Sequence, residues 1–146
     1  MKSLITLLFV VCFAPTLYAN TLTINDAYAR AMAPGAITSA VFGVIDNPSD
    51  KTVEIIRATT PAAGHVELHT VEMEGDVMKM RQVDKFTVPA HGALILKPGG
   101  FHIMLFDLVS PLATGQTIEV TITFKSGKTQ TFRAPVKKVM HGMKHG

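Results

Sequence analysis

VELHTVEMEGDVMKMRQV, residues 66–83, reads as a β-hairpin, and its reading decides the fold class. Gly75-Asp76 is a two-residue loop, the preferred length for a tight hairpin, and Gly at its first position tolerates a positive φ. That loop fixes a register: Glu74 opposite Val77, Met73 opposite Met78, Glu72 opposite Lys79, Val71 opposite Met80, Thr70 opposite Arg81 and His69 opposite Gln82. Glu72 and Lys79 are then an opposite-charge pair on one face. His69, Val71 and Met73 share the other face with Met78, Met80 and Gln82. His69 and Met80 are diagonal neighbours there, with backbones about 7–8 Å apart, a gap that long side chains bridge.

Working outward, the rest of the chain keeps the same grammar. Apolar residues alternate, β-branched residues are frequent, and Gly, Pro, Asn and Asp clusters punctuate the sequence. Strands are predicted at 23–29, 38–46, 52–60, 65–73, 77–82, 86–88, 93–97, 102–108, 117–124 and 129–135. Turn signals separate them, among them Asn47-Pro48-Ser49-Asp50, Pro98-Gly99-Gly100 and Ser126-Gly127. Many short strands without a convincing helix predict an all-β sandwich with Greek-key connections. A chain of 146 residues that is 47% hydrophobic and 17% charged has the length and composition for one domain with a true core.

Both ends read differently from the middle. Lys2 followed by LITLLFVVCFA, residues 4–14, has the charged start and apolar run of a secretory signal. That run is too short to span a bilayer as a helix. We expect residues 1–19 to be removed, 20–139 to form the domain, and 140–146 to be a flexible tail. The single cysteine, Cys12, lies inside the signal. Val10 and Val11 before it are not the small residue that a lipid-attachment site requires, so export without lipidation is expected. The mature chain would then hold no thiol, and any metal site in it must do without thiolate. Removing Lys2 from the 14 Lys and Arg leaves 13 against 11 Asp and Glu, too weak a bias for nucleic-acid binding.

A third segment joins the hairpin. His102-Ile103-Met104 begins a strand, and the two-residue period puts His102 and Met104 on one face. If this strand lies beside the hairpin, His69, Met80, His102 and Met104 converge. Thioether sulfur is soft and suits Cu(I), which also accepts imidazole. Zn(II) favours Cys, His and carboxylate, Ca(II) and Mg(II) require oxygen, and a blue-copper site requires the Cys that is absent. A plainer reading stands beside this one: Met fills gaps in cores, and a lone His on a strand is often a hydrogen-bonded surface residue. Met73 and Met78 line the same face and serve packing or stand in as ligands. Gln82 either orients His69 or is simply solvated. His65 lies two pairs away from His69 and is left out, and His91 reads as a loop residue.

These residues also carry a resemblance. His69, ten residues, Met80, twenty-one residues, then His102-Ile103-Met104 is similar to the motif of the PCu(A)C family of copper chaperones. The strings VELHTVEMEGDVMKMRQV and LKPGGFHIML resemble that family too, over residues 27–135. The resemblance implies a cupredoxin-like, immunoglobulin-like β-sandwich with one exposed Cu(I) site built from the four residues. It further implies delivery of copper to the binuclear copper centre of a haem–copper oxidase, sometimes with a thiol-bearing copper chaperone. No nucleophile–base arrangement is visible in the sequence, so a non-enzymatic carrier is expected, and nothing demands more than a monomer. Met140, His141, Met143 and His145 make the tail a candidate second site, for Cu(II) through His141 and His145; an unimportant exposed end is the alternative. Two rival classes remain at this point: a redox-cycling copper protein, and an interaction module whose Met and His are structural.

Overall fold

The computed structural model describes residues 22–139; the expected signal at 1–19, Cys12 and the expected tail at 140–146 lie outside these described residues. Ten strands and no helix occur among them: β1 (Thr23–Arg30), β2 (Thr38–Asp46), β3 (Val53–Thr59), β4 (Ala63–Glu74), β5 (Val77–Gln82), β6 (Phe86–Val88), β7 (Ala93–Leu96), β8 (His102–Leu108), β9 (Thr117–Phe124) and β10 (Thr129–Lys137). They pair in the order β5-β4-β8-β2-β1-β10-β9-β3-β6, with β7 also on β2. Every strand pairing is antiparallel except β1 with β10, where Ala29 lies beside Val136. That parallel seam joins two layers, β5, β4, β8, β2, β7 and β1 in one and β10, β9, β3 and β6 in the other. The chain changes layer between β2 and β3, β3 and β4, β5 and β6, β6 and β7, and β8 and β9. This is the all-β sandwich that the sequence predicts, with the crossing connections of a Greek key.

The core fills the space between the layers. Val41, Ile45, Leu68, Ile103 and Leu105 enter it from the first, and Ile55, Val120, Ile122, Ala134 and Val136 from the second. Each large aliphatic side chain buried there contributes about 1.5–3 kcal/mol of transfer free energy. Strand alternation does the sorting. In β4, Leu68 points inward, so Glu67 and His69 point outward; in β8, Ile103 and Leu105 point inward, so His102 and Met104 point outward. The inner positions specify the fold and thereby fix which side chains reach the outer face.

The predicted strands differ from the observed ones mainly at their ends. β4 begins at Ala63 because Ala63 already pairs with Leu108 of β8. β10 continues through Pro135 to Lys137. The Val136 N–H donates to the Gln116 carbonyl (2.8 Å), so the ladder resumes beyond the proline. In β1 the register slips between Asn25 and Tyr28 around Asp26, whose φ is 52°. Gly43 of β2 lies against this bulge, so close that a Cβ there would sit 3.0 Å from the Ala27 Cα.

Candidate metal centre

The β4–β5 hairpin has the register the loop predicts, from Glu74–Val77 to His69–Gln82. Gly75 takes φ +63°, while Asp76 is not among the residues with positive φ, the pattern of a type II′ turn. On the charged face the ion pairs run diagonally and not straight across. Lys79 meets Glu74 (2.5 Å) and Arg81 meets Glu72 (2.9 Å). Long side chains reach such diagonal neighbours as easily as facing ones.

β8 lies between β4 and β2, and this placement assembles the outer face. His69 pairs directly with His102, and Glu67 with Met104. The two imidazole centroids are 5.6 Å apart. Met80 follows on β5, the outermost strand, across the hairpin from Val71. Met80, His102 and Met104 line one cleft of about 270 Å³, with Phe42 and Gly99 in its wall. Thus the four residues singled out in the sequence lie on one face of three neighbouring strands. Their exposure is graded: His102 is 2% and His69 9% accessible, whereas Met80 is 63% accessible.

Hydrogen bonds orient both imidazoles and fix one N–H of each. A carbonyl oxygen only accepts, so the 2.9 Å contact between His102 Nδ1 and the Gly100 carbonyl places the proton on Nδ1. The lone pair is then on Nε2. Likewise His69 Nε2–H donates to the Glu67 carboxylate at 2.6 Å, leaving the lone pair on Nδ1. The second Glu67 oxygen accepts from His65 Nε2–H at 2.7 Å. The hydrogen bonds from His69 and His65 hold the Glu67 carboxyl below the ordinary carboxylate range. Burial pushes His102 below the usual imidazole range, opposed only in part by its bond to Gly100, and this keeps the ring neutral.

The two free lone pairs are the most informative atoms of the molecule. His69 Nδ1 and His102 Nε2 are buried and have no hydrogen-bond partner. Leaving a buried polar atom unsatisfied costs about 1–3 kcal/mol, so two together call for a ligand. Aromatic rings shield them: Phe42 stands 6.2 Å from the His102 ring and Phe106 5.9 Å from that of His69. Two neutral nitrogens and two thioethers make a soft, uncharged donor set. Among the described residues, no group of three or more His, Cys, Asp or Glu is placed to hold a metal ion, so a harder ion finds no matching cluster.

Several participants escape sequence reading. Glu67, not Gln82, orients His69; Gln82 is exposed. His65, set aside on spacing, shares Glu67 with His69. Arg30 and Met32 line the cleft from the end of β1, and the Met32 N–H donates to the Leu112 carbonyl at 3.0 Å. Met32 adds a third thioether to the cleft. No signal in the sequence points to it, because its position depends on which strands β2 separates. His91 lies in the turn between β6 and β7, as expected of a loop residue, with φ 52°. A larger depression of about 590 Å³, between residues 51–54 and 124–130, contains neither His nor Met.

Residues 22–136 match the family described as "Putative lipoprotein LpqE-like". "Putative lipoprotein Lxx21020" of Leifsonia xyli subsp. xyli is 36% identical over 124 residues, covering 84% of this chain and 74% of its own. The solution structure of CuI-DR1885 from Deinococcus radiodurans is 33% identical, with 82% of each chain covered and a TM-score of 0.63. The copper-bound PCuAC domain from PmoF2 superposes with a TM-score of 0.70 over 84% of this chain and 97% of its own; at 21% identity it shows the shared fold.

Proposed function

Because the chain belongs to the LpqE-like family, we propose that it is an exported, non-enzymatic carrier of Cu(I), held by His69, Met80, His102 and Met104. One observation carries this reading: the paired, buried, unpartnered nitrogens His69 Nδ1 and His102 Nε2 beside two thioethers. The similar solution structure is that of CuI-DR1885, which supports the choice of ion.

The chain's own residues account for holding and release. Glu67 and the Gly100 carbonyl each hold one imidazole N–H, so the second nitrogen of each ring is the one turned to an incoming ion. Phe42 and Phe106 limit water at the nitrogens. All four donors are neutral, so the bound ion keeps its charge and no ligand need be protonated for release. Met80 is the exposed member and sits on the outermost strand. It is therefore the first donor that an incoming ligand displaces, and transfer proceeds by exchange of one bond at a time. The acceptor we propose is the binuclear copper centre of a haem–copper oxidase or a thiol-bearing copper chaperone. The proposed place of work is the periplasm, after cleavage near Ala19.

Anaerobic titration with Cu(I) against a competing chelator tests the site, with a Met80→Ala, Met104→Ala variant alongside. One-to-one binding that the variant loses is the expected result. Equal binding by both proteins would assign the metal to other residues and sink the four-residue site.

A further inference from the structure

Beyond the four proposed ligands, the hairpin bears two more thioethers whose position packing does not explain. Met73 and Met78 are 64% and 59% accessible, and β5 has no buried residue at all. A gap-filling role needs a gap, and none lies behind this strand. The β-branched or aromatic residues that strands favour would serve an exposed position as well. Yet the exposed large apolar residues of the hairpin are Met73, Val77, Met78 and Met80, and the three methionines share one face.

Their arrangement is specific. Met73 and Met78 are a directly facing cross-strand pair. Facing residues in an antiparallel pair have Cα atoms about 4.5–5.5 Å apart, close enough for two flexible thioethers to meet on one ion. Met78 is two residues from Met80 on the same strand, hence about 7 Å along one face. Met78 also folds toward the cleft. Its methyl carbon comes so near Gly99 that a Cβ built on that residue would sit 3.6 Å away, and Gly99 itself lines the cleft with Met80, His102 and Met104. By register the methionines therefore form a series from the hairpin tip inward: Met73 with Met78, then Met80, then Met104.

We propose that Met73 and Met78 form an outer Cu(I) station at the mouth of the cleft, through which the ion enters and leaves the inner site. This rests on the Cu(I)-carrier reading and adds a second binding position to it. Met80 is the pivot, reachable from the outer pair and shared with the inner set. At each step one Cu–S bond forms as another breaks; the ion stays Cu(I), and no proton or electron moves. The outer station has no imidazole, so it binds more weakly than the inner site and empties readily in either direction.

The test uses the full mature chain with 13C-methyl-labelled methionine, titrated anaerobically with Cu(I) and followed by NMR. The Met80 and Met104 methyl signals are expected to shift first and saturate at one equivalent, with Met73 and Met78 shifting together in a second, weaker phase. A Met73→Leu, Met78→Leu variant, of similar size and polarity, should keep the first phase. It should release Cu(I) to bicinchoninate several-fold more slowly. Stationary Met73 and Met78 signals through several equivalents, or an unchanged release rate in the variant, would overturn the outer station. Movement of Met73 and Met78 without Met80 and Met104 would uphold the outer pair and overturn the inner assignment instead.

Discussion

Two hairpins of this molecule are built on the same antiparallel ladder and put it to opposite uses. In β9–β10, Ile118, Val120, Ile122 and Phe124 alternate into the core, joined by Ala134 and Val136. The outer face of that hairpin holds a Thr121–Thr131 hydroxyl pair at 2.8 Å. In β4–β5 the alternation continues along β5, with Met78 and Met80 on one side and Lys79 and Arg81 on the other, but no core stands behind it. Alternation in β9 is the imprint of packing. The same pattern in β5 needs another cause, and the neighbouring imidazoles with free lone pairs supply one. An apolar residue that buries nothing is more informative about function than one that fills the interior.

Substitutions can break this contrast or sharpen it. The largest effect belongs to the packing hairpin. Ile122→Ala should destabilise the protein by about 2–5 kcal/mol, read by urea denaturation, while Cu(I) stoichiometry of the folded fraction stays unchanged. Next comes the support of the metal face. Glu67→Gln removes the carboxylate that fixes His69 and should weaken Cu(I) binding by roughly 10–100-fold, measured by chelator competition. Unchanged affinity would show that the Glu67 carboxylate does not support the metal face. A smaller change is expected from Thr121→Ala, which breaks the exposed hydroxyl pair and should cost about 0.2–1 kcal/mol in the same denaturation assay. Smallest of all is the folding effect of Met80→Leu. It should leave stability within about 0.5 kcal/mol of the parent while Cu(I) affinity falls. A large stability loss there would mean that β5 does packing work after all, and the contrast between the hairpins would collapse.

What the sequence disclosed follows the range of the forces involved. The β4–β5 register is local, set by Gly75-Asp76, and the predicted pairing from Glu74–Val77 to His69–Gln82 matches residue by residue. The shared face of His102 and Met104 follows from strand period alone. That β8 would lie against β4 with His69 facing His102 is a long-range fact, decided by how Leu68 and Ile103 meet the core. The enclosure by Phe42 and Phe106 and the presence of Met32 in the cleft wall depend on how β4, β8, β2 and β1 lie side by side, and no local pattern reveals that order. Gln82 faces His69 across the hairpin, which by register alone makes it a fitting partner. The shorter path runs along β4 itself, where Glu67 is two residues away on the same face. The diagonal ion pairs of Glu72 and Glu74 have a similar cause, since register fixes which backbones face each other but not where long side chains turn.

The accessibility of Met80, Met73 and Met78 has a chemical consequence of its own. A thioether open to an incoming ligand is equally open to peroxide and hypochlorite, and oxidation to the sulfoxide turns a soft donor into a polar, chiral group. The buried nitrogens of His69 and His102 are spared, so oxidative damage would strip the hairpin of its donors while the fold persisted. Restoring those thioethers would take a methionine sulfoxide reductase acting where the protein resides.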